Sequence, residues 1–399
     1  MPETRPGMRL LCLDHEGGHG GSSRSLFTLL SNLSKEELEI TVWCKKESHL
    51  QYLYEDLGIH VEVLADLPTY AVFSASNIDN LSLLKDRLIE FLTFFSRRKS
   101  FLDKIEGNFD LIHYNHVSFA PLAWLIKRSI GLPATMHIRT IPHYSIMAQW
   151  QALIVNRAVD RLICITENEK SYMEHFLGSS DSVVVHNAPF PPLTSPLHHP
   201  KVPLDNRLRI ASLSNFHLLR GVDRIAEVAR IIDTKGRGND VLFVLAGTMN
   251  LIKSLPGKLG KIGSRGGTFA DYVAEENLSH MFRFLGHVSE PENVIEACHA
   301  TIKLTRDDNP WGRDIIESLA AGRPVISLGT WDGFIRNGVT GVLFSEYDPV
   351  EIAEAILLLK DDPDVLMEMG AKSKAHISVI CDPVLAAKKV YGVWRQLTL

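Results

Sequence analysis

The sequence of 399 residues contains no run of about 20 apolar residues, the length that a membrane-spanning helix requires. It has no excess of basic residues either, since 42 Lys and Arg stand against 47 Asp and Glu, so we expect no nucleic-acid partner. Its first residues lack a signal-peptide pattern, and its five cysteines include no CxxC pair. We therefore expect a cytoplasmic protein with buried, reduced thiols and no structural metal site.

Short apolar runs that suit strands alternate along the chain with longer amphipathic runs that suit helices. This alternation predicts right-handed βαβ units and parallel sheets. Six prolines within residues 189–204 interrupt it, and because proline stiffens the chain and lacks an N–H donor, they indicate a linker. The predicted division is a first domain at 1–188, the linker at 189–206, a second domain at 207–382 and a final helix at 383–399 that packs back on the first domain.

A glycine-rich turn at residues 17–21 separates the first predicted strand from a helix. The backbone amides of Gly20 and Gly21 can approach a phosphate at the start of that helix. The GxGxxG pattern of dinucleotide-binding proteins is incomplete, because Ser23 takes its third place and lysines at 45–46 replace the acid that binds the NAD ribose. Ligand contact and a simple tight turn both stay open, and the missing acid and the incomplete glycine pattern argue against a third hypothesis, a nicotinamide-dependent oxidoreductase.

The most informative segment is TRDDNPWGRDIIESLAAGRPVI, at residues 305–326. It predicts a polar turn, a helix that starts near Gly312 and a glycine stop at 321–322. Asn309 and Glu317 would be about 12 Å apart in one continuous helix, which suits the two ends of a sugar nucleotide. Two plainer alternatives stay open, in which Asn309 caps the helix and Glu317 lies on a solvated face.

The string NPWGRDIIESLAAGRPVIS resembles the signature helix of the family 4 retaining glycosyltransferases, which have the GT-B fold. Further segments agree in the same order along the chain: PATMHIRT, DRLICITENE, VVVHNAPF, LSNFHLLRGVDRIAEVAR and FRFLGHVSE. The resemblance implies two doubly wound, Rossmann-like α/β domains that face a central cleft. It also implies a UDP- or GDP-sugar donor on the second domain and a glycan, lipid-linked or small-molecule acceptor on the first. We expect neither cofactor nor metal, because positive groups can neutralise the diphosphate and the acidic residues show no DxD-type pair.

The resemblance further implies roles for individual residues. Glu317 would bind the donor ribose, Arg220 with Gly221 the diphosphate, and His137 a sugar hydroxyl or the reacting carbon. The remaining expected contacts are main-chain contacts to the base at His287 and Val288, and contacts to the donor sugar or phosphate at Asp308, Trp311, Gly312 and Arg313.

The chain departs from the family pattern at two places that matter for catalysis. Asn309 stands where the family has the first glutamate of its pair, and Ser214 stands where it commonly has an arginine. An uncharged amide cannot stabilise a developing cation electrostatically, although Asp308 is adjacent. A second hypothesis is therefore a degenerate GT-B domain that binds sugar nucleotide or glycan without efficient turnover.

Three other features leave alternatives open. Residues 250–268, rich in glycine and basic residues, predict a long flexible loop that is either simply solvated or a lid over an anionic ligand. Residues 83–101 predict an amphipathic helix that either faces the core or contacts a membrane peripherally. His113 and His116 either line the site or, as a weaker alternative, bind zinc.

Overall fold

The computed structural model describes residues 7–15, 20–33, 38–47, 49–69, 98–141, 146–178, 180–190 and 199–399, together with 89, 92, 95 and 96. Residues 17–19 of the glycine-rich turn, most of the predicted helix 83–101 and part of the predicted linker 189–206 lie outside these ranges. The chain divides into two compact units. One unit comprises Met1–Phe190 with Asp382–Leu399, and the other comprises Pro191–Cys381.

The first unit contains a seven-stranded parallel sheet. Its strands are Met8–Asp14 (β1), Leu38–Cys44 (β2), His60–Val63 (β3), Leu111–Tyr114 (β4), Ala134–Ile138 (β5), Arg161–Cys164 (β6) and Ser182–Val184 (β7). They lie in the order β3-β2-β1-β4-β5-β6-β7, so the winding of the sheet reverses between β1 and β4. Strands β4 and β5 are buried along their whole length, as expected where helices cover both faces of a parallel sheet.

Helices connect these strands. They are Gly21–Ser31 (α1), Leu50–Asp56 (α2), residues 98–105 (the end of α3), Ala120–Ile130 (α4), Ile146–Ala158 (α5) and Glu167–Leu177 (α6). Local sequence sets their ends. The hydroxyl of Thr166 accepts the N–H of Asn168 at the start of α6, and Gly131 ends α4 with a φ of +77°.

The second unit contains a six-stranded parallel sheet. Its strands are Leu208–Leu213 (β8), Val241–Ala246 (β9), Phe282–Gly286 (β10), Ala300–Lys303 (β11), Val325–Leu328 (β12) and Gly341–Phe344 (β13). Their order is β10-β9-β8-β11-β12-β13, which places the reversal between β8 and β11. Two parallel, doubly wound sheets confirm the predicted fold class.

The helices of the second unit pack on this sheet. They are Val222–Thr234 (α7), Gly257–Gly263 (α8), Phe269–Glu275 (α9), Pro291–Ala297 (α10), Arg313–Ala320 (α11), Pro349–Asp361 (α12) and Pro363–Ile380 (α13). The last helix, Pro383–Thr398 (α14), belongs to the first unit, where the side chain of Trp394 is fully buried. Asp382 caps α14 by accepting the N–H of Leu385 at 2.8 Å.

The prediction of a long flexible loop at residues 250–268 is wrong. Residues 257–263 form α8, and Leu259 and Ile262 on that helix are part of the hydrophobic core of the unit. Two of its glycines serve close packing, because a Cβ on Gly260 would lie only 2.0 Å from the carbonyl oxygen of Leu255 and one on Gly263 only 2.5 Å from the backbone of Ile252. Of the basic residues that suggested a lid over an anion, Lys258 is engaged with two glutamates of the neighbouring helix region, and the lid itself stays a prediction.

The cysteines are buried, as the sequence predicts. All five cysteines are buried and none forms a disulfide, which confirms the predicted thiols. Burial raises the pKa of Cys164 and of Cys298 to about 12, so neither is a thiolate at neutral pH.

Within the described ranges, no helix combines the length and the apolar composition needed to cross a membrane.

Candidate functional site

The second unit brings two of the predicted site segments together at the carboxyl ends of β8 and β11. A 3₁₀ turn, Leu218–Arg220, comes after β8, and Gly221 follows it with a φ of +67°. A Cβ on Gly221 would lie 1.7 Å from the carbonyl oxygen of Leu304, the residue after β11. Only glycine permits this approach, which holds Arg220 close to the loop at residues 305–312.

Helix α11 begins at Arg313 and is followed by Gly322, which has a φ of +71°, as predicted. Its cap residue is Gly312, so the alternative in which Asn309 caps the helix is wrong. The separation of about 12 Å assumed one helix through Asn309 and does not apply. Gly312 has a φ of +137°, a conformation that residues with a side chain rarely adopt, and a Cβ there would lie 2.7 Å from Oδ1 of Asp314.

Lys303 is a buried cation beside the start of α11. Its side chain is 6% exposed, and its Nζ donates to the carbonyl oxygen of Trp311 at 2.5 Å and to Oδ1 of Asp314 at 3.3 Å. Burial lowers the pKa of Lys303, the Asp314 carboxylate opposes that shift, and the charge of Arg220 adds to it. Lys303 thus fixes the Trp311–Gly312 peptide and adds positive charge where the helix itself carries a partial positive charge.

Glu317 lies on the second turn of α11 and is only 7% exposed, so the solvated-face alternative is wrong. Its Oε1 accepts a hydrogen bond from Nη2 of Arg313, one turn earlier on the same helix. Both side chains of this pair are largely buried. A carboxylate has about four acceptor sites, so Glu317 retains capacity for the hydroxyl groups of a ligand.

Asp308 and Asn309 are adjacent but differ in their partners. Both carboxylate oxygens of Asp308 accept bonds from Thr330, Oδ1 from its backbone N–H at 2.8 Å and Oδ2 from its hydroxyl. The Oδ1 of Asn309 is buried and has no hydrogen-bond partner in the described part of the chain. Because such an acceptor is costly to leave unpaired, Asn309 is suited to receive a hydrogen bond from a ligand hydroxyl.

Arg220 differs from the arginines around it in being available to an anion. Its exposed side chain makes no hydrogen bond or ion pair with the residues whose placement is described. Arg306, by contrast, pairs with Asp223 at 2.5 Å, and Arg224 donates to the carbonyl oxygen of Thr305 at 2.9 Å.

The predicted base-binding residues come directly after β10. His287 is exposed, and Val288 packs against the small core cluster on that side of the sheet. The carbonyl oxygen of Gly286 accepts the N–H of Gly247 at 2.7 Å, which joins the ends of β9 and β10. A Cβ on Gly247 would lie 2.4 Å from the carbonyl oxygen of Ser214, so the ends of β8, β9 and β10 are close together.

In the first unit, a polar network that the sequence analysis missed joins the carboxyl ends of β1, β4 and β5. Arg139 donates to the side-chain oxygens of Asn115 at 2.7 Å and of Asn187 at 2.6 Å. Asn115 donates to Asp14 at 3.2 Å and to the carbonyl oxygen of Ser22 in α1 at 3.0 Å. The network therefore fixes the sheet edge against the start of α1.

The two predicted glycines stand at that helix start. Gly20 is the cap residue of α1 and Gly21 is its first residue, and no side chain caps the helix. The start of α1, with its partial positive charge, therefore lies at Gly20 and Gly21 as predicted.

His137 lies in β5, with its Nδ1 2.9 Å from Nε2 of His113 in β4. The Nδ1 of His113 lies 2.8 Å from the hydroxyl oxygen of Thr135. Burial lowers the pKa of His113 to about 3, and burial, then the charges of Arg139 and His113, lower the pKa of His137. Both rings are therefore neutral at pH 7, and His113 has no ring nitrogen left to pair with His116 on a zinc ion.

Two family models match the chain. The model described as Glycosyltransferase Family 4 matches residues 19–188, and the model described as Glycosyl transferases group 1 matches residues 196–376. The chain belongs to the family 4 glycosyltransferases. The resemblance seen in the signature helix is therefore confirmed, and it extends over both units of this family member.

Related proteins agree with this assignment. The D-inositol 3-phosphate glycosyltransferase of Thermobispora bispora is 25% identical over 358 residues, which cover 80% of this chain and 82% of that protein. The protein of the same name from Thermobifida fusca is 23% identical over 326 residues, covering 74% and 72%.

Solved structures show the GT-B fold. Anabaena HepE in complex with UDP and glucose has a TM-score of 0.73 at 18% identity, covering 98% of this chain and 100% of that one. The sucrose-phosphate synthase of Thermosynechococcus elongatus has a TM-score of 0.72 at 16% identity, covering 98% and 99%.

Proposed function

We propose that this chain is a retaining, metal-independent glycosyltransferase that moves a sugar from a UDP- or GDP-sugar to a glycan, lipid-linked or small-molecule acceptor. The observation that carries the proposal is the buried Arg313–Glu317 pair at the start of α11, together with the exposed guanidinium of Arg220, whose charge acts on Lys303 beside that helix start. Structures of HepE contain UDP or UDP-glucose, and the sequence relatives are named D-inositol 3-phosphate glycosyltransferases, which supports a nucleotide-sugar donor.

In this proposal, the donor lies along the start of α11. Glu317 accepts hydrogen bonds from the two ribose hydroxyls, and Arg220 binds the diphosphate, which a guanidinium can do bidentately. The amides of Gly312 and Arg313 face the same phosphates, where the partial positive charge of the helix favours an anion. Gly221 keeps Arg220 in place, because no larger residue fits there.

The sugar and the base of the donor lie on either side of the diphosphate. The unpaired Oδ1 of Asn309 accepts a sugar hydroxyl, while Asp308 holds the loop through Thr330. The main chain at Trp311, which Lys303 holds, supports the sugar, and the main chain at His287 and Val288 meets the base.

The chemistry needs stabilisation of the leaving group more than it needs a strong base. The nucleoside diphosphate leaves with growing negative charge, and Arg220, Lys303 and the start of α11 supply fixed positive potential around it. Loss of one such preorganised donor typically raises the barrier by about 2.7–4 kcal/mol. In the first unit, His137 donates a hydrogen bond to a sugar hydroxyl, and the backbone at Gly20 and Gly21 contacts an anionic group of donor or acceptor.

Two substitutions favour a second candidate function. Asn309 carries no charge where the family has a glutamate, and Ser214 replaces a family arginine. A chain that binds sugar nucleotide or glycan without efficient turnover is consistent with both changes.

The test is release of UDP or GDP from a panel of nucleotide sugars, with and without acceptors, in the presence of EDTA. Glu317→Gln and Arg220→Ala should each lower kcat/KM by about 100-fold or more. The exposed residues Glu351 and Arg283 provide matched controls, Glu351→Gln and Arg283→Ala, which should behave as wild type. The coupling constant of the anomeric proton in the product tests retention.

Each result separates the candidates. Calorimetric binding of a nucleotide sugar without any release of nucleotide favours the second candidate. Wild-type kinetics in both site variants would refute the site assignment, and loss of activity in EDTA would refute metal independence.

A further inference from the structure

A chain of four buried side chains runs through the first unit from α14 to His137. The Nε1–H of Trp394 donates to the hydroxyl oxygen of Thr135 at 3.0 Å. That oxygen lies 2.8 Å from Nδ1 of His113, whose Nε2 lies 2.9 Å from Nδ1 of His137. Thr135 and His113 are register partners on neighbouring strands. None of the four side chains is more than 4% exposed, so water does not compete for these bonds.

The hydrogens available on these side chains decide which partner donates and which accepts in each of the three hydrogen bonds. An indole N–H can only donate, so Thr135 accepts from Trp394, and its single hydroxyl hydrogen is left for His113. The neutral His113 ring accepts at Nδ1 and carries its hydrogen on Nε2, where it donates to His137. His137 thus accepts at Nδ1 and is protonated at Nε2. The reverse order would leave the Thr135 hydroxyl hydrogen without an acceptor among the residues of known placement.

His137 contributes to the lining of a recess in the first unit, together with Ser25, Thr28, Arg139 and Asn187. Its Nδ1 edge is turned to His113, which leaves the Nε2 edge for the recess. Nε2 makes no hydrogen bond within the described ranges of the chain. In the tautomer deduced above, this nitrogen can donate a hydrogen bond and cannot take up a proton.

We infer that Trp394 and Thr135 are positioning residues that, through His113, hold His137 as a hydrogen-bond donor toward an oxygen atom of the bound sugar. The identity of the ligand rests on the proposed function, whereas the tautomer does not. His137 then orients and polarises a substrate oxygen and does not act as a base. The last helix of the chain contributes to the site although Trp394 itself touches no ligand.

The test uses the full chain labelled with ¹⁵N in its histidine rings, in a ¹H–¹⁵N correlation spectrum that reports which ring nitrogen is protonated. Gln variants of His113 and His137 assign the signals. We expect protonated Nε2 and unprotonated Nδ1 in both rings. Thr135→Val and Trp394→Phe should each give mixed tautomers at His137, whereas Thr135→Ser should retain one. Trp43 is a buried indole of the same unit outside this chain of bonds, so Trp43→Phe should change nothing.

The outcomes are decisive in both directions. A wild-type His137 protonated at Nδ1 overturns the inference without any variant, as does one tautomer population shared by wild type, Thr135→Val and Trp394→Phe. Where half of the molecules hold the wrong tautomer, kcat/KM should fall about twofold, and Thr135→Ser should restore it. Correct tautomers without sugar transfer would refute the proposed function and leave the role of Trp394 standing.

Discussion

Replacing Lys303 by methionine tests whether a buried cation fixes the start of α11. The change keeps most of the apolar stem and removes one charge together with the bonds to Trp311 and Asp314. Breaking a buried ion pair typically costs about 3–5 kcal/mol. Asp314 is 18% exposed and its Oδ1 also accepts the N–H of Ile315 at 3.1 Å, so part of that penalty is relieved. We expect the unfolding free energy to fall by about 2–3 kcal/mol.

The assay is urea unfolding followed by tryptophan fluorescence, with the denaturant slope compared between variants so that the same transition is measured. Lys235→Met is the matched control, because Lys235 pairs with Glu354 at 3.0 Å and their side chains are 41% and 59% exposed. Losing an exposed pair should cost less than about 1 kcal/mol. Asp314→Asn combined with Lys303→Met should cost less than the sum of the single changes, since the two side chains are in contact.

Two results would refute the argument. One is a Lys303→Met variant no less stable than Lys235→Met. The other is strict additivity of the Lys303 and Asp314 substitutions, which would mean that the two groups do not interact.

Two further predictions concern pH and backbone packing. Because burial lowers the pKa of His113 to about 3 from its usual 6.5, the unfolded chain takes up a proton below pH 6.5 that the folded chain excludes. The unfolding free energy should therefore fall by about 2 kcal/mol between pH 7.5 and pH 5, and a His113→Gln variant with the wild-type slope would contradict this. Gly221→Ala places a Cβ 1.7 Å from a backbone oxygen at a φ of +67° and should cost more than about 3 kcal/mol, whereas Gly236→Ala, with open space around it, should cost about 1–2 kcal/mol. Equal shifts in the melting temperatures of the two glycine variants would be the contrary result.

The strands and α11 could be predicted because their signals are local. Parallel strands that helices cover on both faces appear in the sequence as apolar runs, as in VLFVLA of β9. The glycines at 312 and 322 mark the two ends of α11. Glycine is ambiguous elsewhere. In residues 250–268 it indicated flexibility, but Gly260 is there because a backbone carbonyl lies against it.

The missed site residues depend on contacts between distant parts of the chain. Arg139 donates hydrogen bonds to Asn115 and Asn187, which lie 24 and 48 residues away along the chain, and no local sequence pattern reveals such contacts. Lys303 is visible in the sequence as the one charged residue of the short strand ATIK. Charged residues are almost never fully buried without a partner, so a lysine in a buried strand indicates an acceptor close to it.

The placement of α14 has a consequence for how the protein is made. The Trp394 indole of α14 packs beside Thr135 and His113, which are synthesised much earlier. The ribosome must translate the whole of Pro191–Cys381 before Trp394 emerges. At about 5–20 residues per second, that interval lasts roughly 10–40 s. During it the first unit lacks the Trp394 indole, and the histidine pair acquires its final proton arrangement only when α14 docks.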